Sequence, residues 1–421
     1  MSAGHWWLAA LLAGPAAAWA AETPELPPLE LVQKAVTQAP VVQAARSLLR
    51  AGEAERLRFE AGPHEWAVRA GTQQRRVRFA PEERFTEWDV GLERPLRLPA
   101  KTVIDYELGA SSVRQSEVAY GDALHETSRG LLAAWFDWLR ARETAAQWAA
   151  QQALLRRQAQ SVSRRVELGD APRLETLLAE GAAQQAEAQR TLAQARVEQA
   201  VADLRLRFPA LALPESLTLP APRRLEGELA YWRGEILQHS HELLVARGES
   251  ARARLGASRA DAERTPDPTV AMRMASERGG DQRIIGLSLM LPLPGQARRA
   301  QADIAASQSA AAAYREVGVL TKIEREASAT YVAAQANFET WQRAAAAAQQ
   351  LDQAAELTAR AYELGEGSLA DTLLARRQTN EAQLAARLAQ LDELEARDRL
   401  LLDAHQLWVF EREHANERQP D

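Results

Sequence analysis

The sequence contains no cysteine. That excludes disulfides, thiolate metal sites, thiol nucleophiles and a lipidated N-terminal cysteine. A basic excess is also missing: 51 Lys and Arg face 57 Asp and Glu, for a formal net charge of −6. No electrostatic nucleic-acid binder is expected from such a balance. Aromatic residues make up only 6%, and tryptophan, with 11 copies, is the commonest of them. The sole long apolar run is Trp6–Ala20, shorter than the roughly 20 residues a spanning helix needs. If the chain enters a bilayer, it must do so as a closed β-barrel, in which every backbone polar group is paired. Catalytic patterns are lacking too. The dipeptides His64-Glu65, His125-Glu126 and His241-Glu242 are followed at the second zincin ligand position by Val68, Arg129 and Val245. His239 and His241, two apart, would point to opposite sides of one helix. There is no G-x-S-x-G, phosphate loop or G-x-G-x-x-G. The expectation is a protein that is not an enzyme, with no catalytic residues, no metal site and no cofactor.

The run Trp6–Ala20 ends in Ala18-Trp19-Ala20, a small-x-small cleavage pattern, and reads as a secretory signal peptide over residues 1–20. Its leading segment carries His5 but neither Lys nor Arg. Mature protein is expected to begin near Ala21.

What the chain has in abundance is Ala, Gln, Arg, Glu and Leu, the composition of extended helices. It also carries an internal repeat. The segment Glu167–Ala179 matches Glu363–Ala375 at seven of thirteen positions without a gap, and the pairs Asp170/Glu366 and Glu175/Asp371 keep their charge. Arg94-Pro95-Leu96-Arg97-Leu98-Pro99 and Leu291-Pro292-Leu293-Pro294 each open a long helical stretch. A proline-rich linker over 209–225, with Pro209, Pro214, Pro220 and Pro222, separates the halves. The expected organisation is a first repeat over 21–208, a second over 226–410, and a polar tail over 411–421.

Each half reads as helix, hairpin, long helix, turn, long helix. The spacing predicts long helices over Lys101–Arg165 and Gln296–Glu363, each a rod of ~100 Å at 1.5 Å per residue. Partner helices follow at Pro172–Arg207 and Leu369–Phe410. Apolar residues at +3/+4 spacing, such as Leu131, Trp135, Trp138 and Val197, Val201, Leu204, make the narrow seam of a coiled coil. Gly169 and Gly365 fit the left-handed position that ends one helix before the next. Between the helices lie four short segments of period two. Trp66, Val68 and Ala70 alternate with polar neighbours, as do Thr86, Trp88, Val90 and Leu92, then Val270, Met272 and Met274, then Ile285, Leu287, Leu289 and Leu291. Such segments are about as long as tilted barrel strands. They make two hairpins, with polar loops at Arg75–Arg84 and Glu277–Arg283. One reading seats the apolar face of each hairpin in a soluble helical core. The other inserts it into a membrane, and since four strands cannot close a barrel, several chains would have to pool theirs.

The duplicated turn, the strand pairs ending in Pro-Leu-x-Leu-Pro and Pro-Leu-Pro-Gly, and the Ala/Gln-rich helices resemble the TolC family of outer-membrane channel components over about Leu29–Phe410. Short length and the Pro-Leu-Pro-Gly element look most similar to CzcC-type members serving heavy-metal efflux. The resemblance implies a mainly α fold with a small β part. Its long antiparallel coiled-coil hairpins would form two structural repeats, with four strands per chain entering a trimeric 12-stranded outer-membrane barrel. It implies a homotrimer in the outer membrane of a Gram-negative bacterium, in contact with lipid and without a lipid anchor. Most of its length would reach into the periplasm toward an adaptor protein and an inner-membrane RND-type pump. The chain would be a passive export duct gated at its periplasmic tip. Drug or organic-compound efflux and type I protein secretion are the alternative cargoes, and a periplasmic coiled-coil scaffold is the alternative of a different class.

The same resemblance implies roles for particular residues. Asp371 and Glu175, each six positions after a turn glycine, would line the pore aperture, and Tyr362 would hold the tip shut by bonding Glu175. Some members carry a further acidic residue where this chain has Leu374, and a basic residue of the link where it has Gly367, which implies a weaker filter and a weaker latch. Local roles compete: Ser368-Leu369-Ala370-Asp371 is a helix-capping pattern, Glu175 sits in a first helical turn, and Tyr362 could simply pack at a helix end. Trp66 and Trp88 suit the headgroup zone of a membrane or ordinary hairpin packing.

Overall fold

The computed structural model describes residues 24–78, 81 and 83–410. The expected signal peptide and the tail over 411–421 lie outside them. The element order helix, helix, strand, strand, helix, helix runs twice. The first set is α1 (Leu29–Thr37), α2 (Pro40–Ala61), β1 (Ala67–Val77), β2 (Glu83–Pro95), α3 (Pro99–Glu167) and α4 (Arg173–Arg207). The second is α5 (Leu229–His239), α6 (His241–Ala262), β3 (Thr269–Glu277), β4 (Gln282–Met290), α7 (Gln296–Glu363) and α8 (Leu369–Asp403). At 69 and 68 residues, α3 and α7 are rods of ~100 Å. The helices α2 and α4 pack along α3, and α6 and α8 along α7.

Local chemistry sets the element ends. Prolines stand in the first turn of α2 and α3, where the missing N–H costs nothing. α3 and α7 stop at Gly169 (φ 79°) and Gly365 (φ 81°). At each stop two backbone bonds close the helix, Asp170 N to Arg165 O at 2.8 Å and Gly169 N to Val166 O at 3.0 Å, then Glu366 N to Ala361 O at 2.9 Å and Gly365 N to Tyr362 O at 3.0 Å. The helix expected to reach Phe410 ends instead at Asp403. His405 takes the left-handed conformation there (φ 56°), and Trp408 then folds back into the main core. The hairpin loops are shorter than the polar sequence suggested. β1 runs to Val77 and β2 starts at Glu83, because ladder pairing carries both strands beyond the apolar stretch. A single 3₁₀ turn, Arg278–Gly280, joins β3 to β4.

The main core lies at mid-length. It unites Val32 and Val36 of α1, Leu131, Trp135, Phe136 and Leu139 of α3, and Leu391 and Leu394 of α8. The stretch between α4 and α5 is packed against it through Phe208 and Leu211, and Gln390 donates to Pro220 O at 2.8 Å.

Candidate functional site: an apolar sheet face and a hydrogen-bonded tip

The two hairpins join into one antiparallel sheet in the order β1-β2-β3-β4. Its register aligns the period-two residues into rows. Val68, Leu92, Met272 and Leu287 form one, and Ala70, Val90, Met274 and Ile285 the next. Among the described residues no helix covers this face: Val68 is 73% exposed, Ile285 73% and Leu287 84%. Within one chain, then, this face is not buried against a helical core. The other face is polar. Arg69 pairs with Glu93 at 3.5 Å and Arg273 with Asp89 at 3.7 Å. Arg75 reaches Glu87 and Glu277, each at 3.3 Å. A β-carbon at Gly71 would lie 2.8 Å from Asp89 Oδ1, so a side chain there would have to push that carboxylate aside. The outer edges of β1 and β4 have no neighbouring strand among the described residues.

Trp66 immediately precedes β1, with the Arg94 guanidinium 5.2 Å from its ring centroid. Trp88 lies midway along β2, opposite Thr72 and Ser276, at the level where the shorter second hairpin turns back. Beyond Trp88 the first hairpin continues as the polar pairs Gln74–Thr86 and Arg76–Arg84. The two tryptophans thus stand at different heights on the apolar band, Trp88 at its rim.

Where the sheet meets the helices, charged side chains lock the junction. Lys101, fully buried, has its Nζ 2.9 Å from Asp267 Oδ1 and 3.2 Å from Glu263 Oε2. Asp267 also accepts from Leu98 N at 3.2 Å and meets His64 Nε2 at 2.9 Å. Arg97 donates to Phe59 O and Glu60 O at 2.7 and 2.6 Å, and to Asp105, which Arg259 also holds at 2.6 Å. Sequence reading missed this network because its members lie far apart in the chain.

At the opposite end, the turns α3–α4 and α7–α8 come together around Tyr362. Its hydroxyl donates to Glu175 Oε2 at 2.6 Å and accepts from Arg165 Nη1 at 2.9 Å. The ring packs against Ala159, Val162, Ala179 and Leu369, with the Arg165 guanidinium 5.3 Å from its centroid. Burial, then the bond to Glu175, pushes the Tyr362 hydroxyl up to about 12, so it stays a donor throughout the neutral range. Arg165 is fixed from its other side by Asp170 Oδ2 at 3.0 Å. The basic partner of the Tyr362 hydroxyl is thus Arg165, on α3. Gly367 has a reason of its own, since a β-carbon there would lie 3.2 Å from Tyr362 N. Arg165 left a faint trace in the sequence, four residues before the turn glycine.

Asp371 stands apart from this link. Its N–H donates to Ser368 Oγ at 3.1 Å, and the Ser368 hydroxyl donates to its carboxylate at 2.7 Å. This is the capping arrangement, with the carboxylate exposed. Around the two turns Leu168, Leu174, Leu177 and Leu364 are also exposed. Among the described residues, no group of three or more His, Asp or Glu is placed to hold a metal ion, and no helix is long and apolar enough to cross a membrane.

No protein-family model and no curated protein matches the chain. Solved structures do. The CmeC outer membrane channel of Campylobacter jejuni has a TM-score of 0.76 at 15% identity, over 90% of this chain and 85% of that one. The outer-membrane channel OprN gives 0.77 at 17%, over 92% of each chain. The outer membrane protein VceC of Vibrio cholerae gives 0.73 at 17%, over 90% of this chain and 95% of that one. At these identities the likeness establishes the fold, one shared with outer-membrane channels.

Proposed function

We propose that the chain is the outer-membrane duct of a tripartite efflux system, exporting heavy-metal cations drawn from an RND-type pump through a periplasmic adaptor. The observation that carries this reading is the sheet: one face with an exposed apolar band, the other mostly charged, with both edges open among the described residues. A bilayer is the solvent that suits the first face, and a water-filled lumen suits the second. The open edges call for more strands. The outer edge of β4 in one copy fits the outer edge of β1 in the next, antiparallel like every other pairing, and three copies give the 12 strands of a closed barrel. The ~100 Å helices would then carry the lumen across the periplasm.

In such a trimer Tyr362, Glu175 and Arg165 act as the latch of the tip. Asp371, near the threefold axis, would form a ring of three carboxylates favouring cations over anions. Trp66 and Trp88 would lie along the lipid-facing band, with headgroup contacts at its rims. Cargo choice rests on the pump more than on this passive conduit. Energy enters there as well.

The test has two parts. The full-length chain, fractionated, should sediment with outer membranes, resist salt extraction and yield only to detergent. Release by salt would replace the duct with a periplasmic scaffold. A deletion strain should be hypersensitive to at least one of zinc, cobalt, cadmium, copper or silver salts, with rescue by the wild-type chain and not by one lacking both hairpins. Unchanged tolerance to every metal would remove the heavy-metal cargo and leave organic compounds or a secreted protein.

A further inference from the structure

Four of the seven histidines, drawn from three separate stretches of the sequence, meet in one place. His405 is at the centre. Its ring centroid lies 5.1 Å from that of His125, 4.9 Å from His241 and 5.5 Å from His239, with interplanar angles of 7°, 20° and 26°. The expectation that His239 and His241 diverge on one helix is corrected here. The helix breaks between them: Ser240 caps α6, its hydroxyl oxygen accepting from Leu243 N at 3.2 Å, and both rings reach His405. The cluster therefore ties together α3, the α5–α6 break and the end of α8.

His405 also occupies an unusual backbone position. Its N–H bonds Leu402 O at 3.0 Å and that of Gln406 bonds Leu401 O at 2.8 Å. This is the same helix stop that closes α3 at Gly169 and α7 at Gly365, but with an imidazole where the other two have glycine. A β-carbon in the left-handed region is strained, so the stop depends on what the ring gains from its neighbours.

The surroundings do not welcome a charged ring there. His405 Nε2 is buried with no hydrogen-bond partner among the described residues. Asp403 of α8, the adjacent carboxylate, is already held by Arg129 at 2.7 Å and by Arg399 at 2.9 Å. From α3 the pocket receives Asp122, His125, Glu126 and Arg129, with Glu126 bonded to Arg129. From α5 comes His239, whose Nδ1 lies 2.9 Å from Glu235 O, and from α6 come His241 and Glu242. From α7 come Glu326 and Lys322, the latter 2.8 Å from Glu242. Burial, then His125, His241 and His239, pushes the His405 imidazole down to about 4, with Asp403 opposing. Parallel rings do not aim their nitrogens at a common point, which argues against a metal and for a packed stack of rings.

We propose that the four-histidine stack is an acid-released clasp: neutral, it holds the C-terminal stop of α8 onto α3 and the α5–α6 break; protonated at His405, it lets that stop and the following segment through Phe410 come away. The sign follows from linkage. The open form takes up a proton near the ordinary imidazole pKa of about 6.5 and the closed form resists it until about 4, so closure weakens as pH falls below 6.5. This device is independent of what the chain conducts.

The test is hydrogen exchange, read by mass spectrometry on the full-length detergent-solubilised protein from pH 8 to pH 5 and corrected for intrinsic rates. The amides of Ala404, His405 and Gln406 report on the stop. One linked proton predicts that their opening increases about tenfold per pH unit below 6.5, or about thirtyfold by pH 5. The glycine-built stops at Gly169 and Gly365 should show no such rise. His405→Asn, which keeps tolerance for the left-handed backbone, and His405→Gly should flatten the curve. Protection that is constant from pH 8 to 5 in the wild type overturns the clasp without recourse to a variant. So does an identical transition in either variant, or saturable binding of one zinc ion per chain that His405→Asn abolishes.

Discussion

The Tyr362 hydroxyl takes part in two hydrogen bonds of opposite sense, giving to Glu175 and receiving from Arg165. Each contact has a charged partner, and bonds of that kind contribute about 1.5–3 kcal/mol when buried groups would otherwise go unpaired. Tyr362→Phe keeps the ring among Val162, Ala179 and Leu369 and deletes only the oxygen. If the chain is the proposed duct, the expected result is a shift of the tip toward open by about ten- to a hundredfold, read as higher single-channel conductance in planar bilayers. Equal conductance of variant and wild type would assign the bond to packing alone. The pH behaviour has a definite sign. A folded pKa of about 12, above the ordinary 10, makes the contribution complete below pH 10 and progressively lost as pH climbs toward 12. Through the whole physiological range the Tyr362 hydroxyl does not titrate.

At the scale of elements, two kinds of site hold the helices in place besides the core: their glycine stops and their junction with the sheet. A β-carbon at Gly365 would have nothing within 4 Å, so Gly365→Ala tests the left-handed backbone alone, free of any clash. The expected loss is about 1–2 kcal/mol, seen as quicker exchange of the Gly365 and Glu366 amides with little change elsewhere. The junction is more costly to disturb. Lys101→Met leaves Asp267 with His64 and the Leu98 N–H, while Glu263 keeps its arginine partners. Breaking a buried pair by removing one partner costs about 3–5 kcal/mol, so denaturant unfolding in detergent should move by that order. A change under 1 kcal/mol would mean that water takes the place of the ammonium. These two cases also differ in how they could be read beforehand. The turn glycine announces itself inside a thirteen-residue match, whereas Lys101 and Asp267 are more than 160 positions apart and share no pattern.

Across the whole molecule, a second buried charge cluster fastens the N-terminal segment to α8. Arg397 reaches Glu25 at 2.7 Å and Asp398 at 3.3 Å, with Glu393 nearby, so three carboxyls surround one guanidinium. Burial pushes Asp398 up to about 8 and Glu393 up to about 7. Both folded values lie above the unfolded ones, so their contribution to stability is complete in acid and lost as pH rises through 7 and 8. The histidine stack works in the opposite direction, below pH 6.5. Between pH 6.5 and 8.5 only the carboxyls of these two clusters act. A melting temperature that falls over this interval, with a shallower fall in Asp398→Asn, is the expected outcome; a flat wild-type profile would show that these carboxyls are ionised in the folded chain.

Residues near one another in the sequence determined the parts that need only a few neighbours to specify. Alternation at period two follows from the pleat, and it foretold an apolar face on four strands before any pairing was known. Glycine in the turn of each α-hairpin follows from the left-handed backbone that ends a helix. The absence of cysteine is read directly from composition. Tertiary structure decided what depends on distant segments meeting in register. It left the apolar face uncovered, brought Arg165 to Tyr362 across nearly 200 positions, and stopped α8 at a histidine by stacking three other imidazoles on it. The physical reason is range: backbone preference and periodicity act over a few residues, while which side chains meet is fixed by how ~100 Å helices slide and turn against one another before they lock.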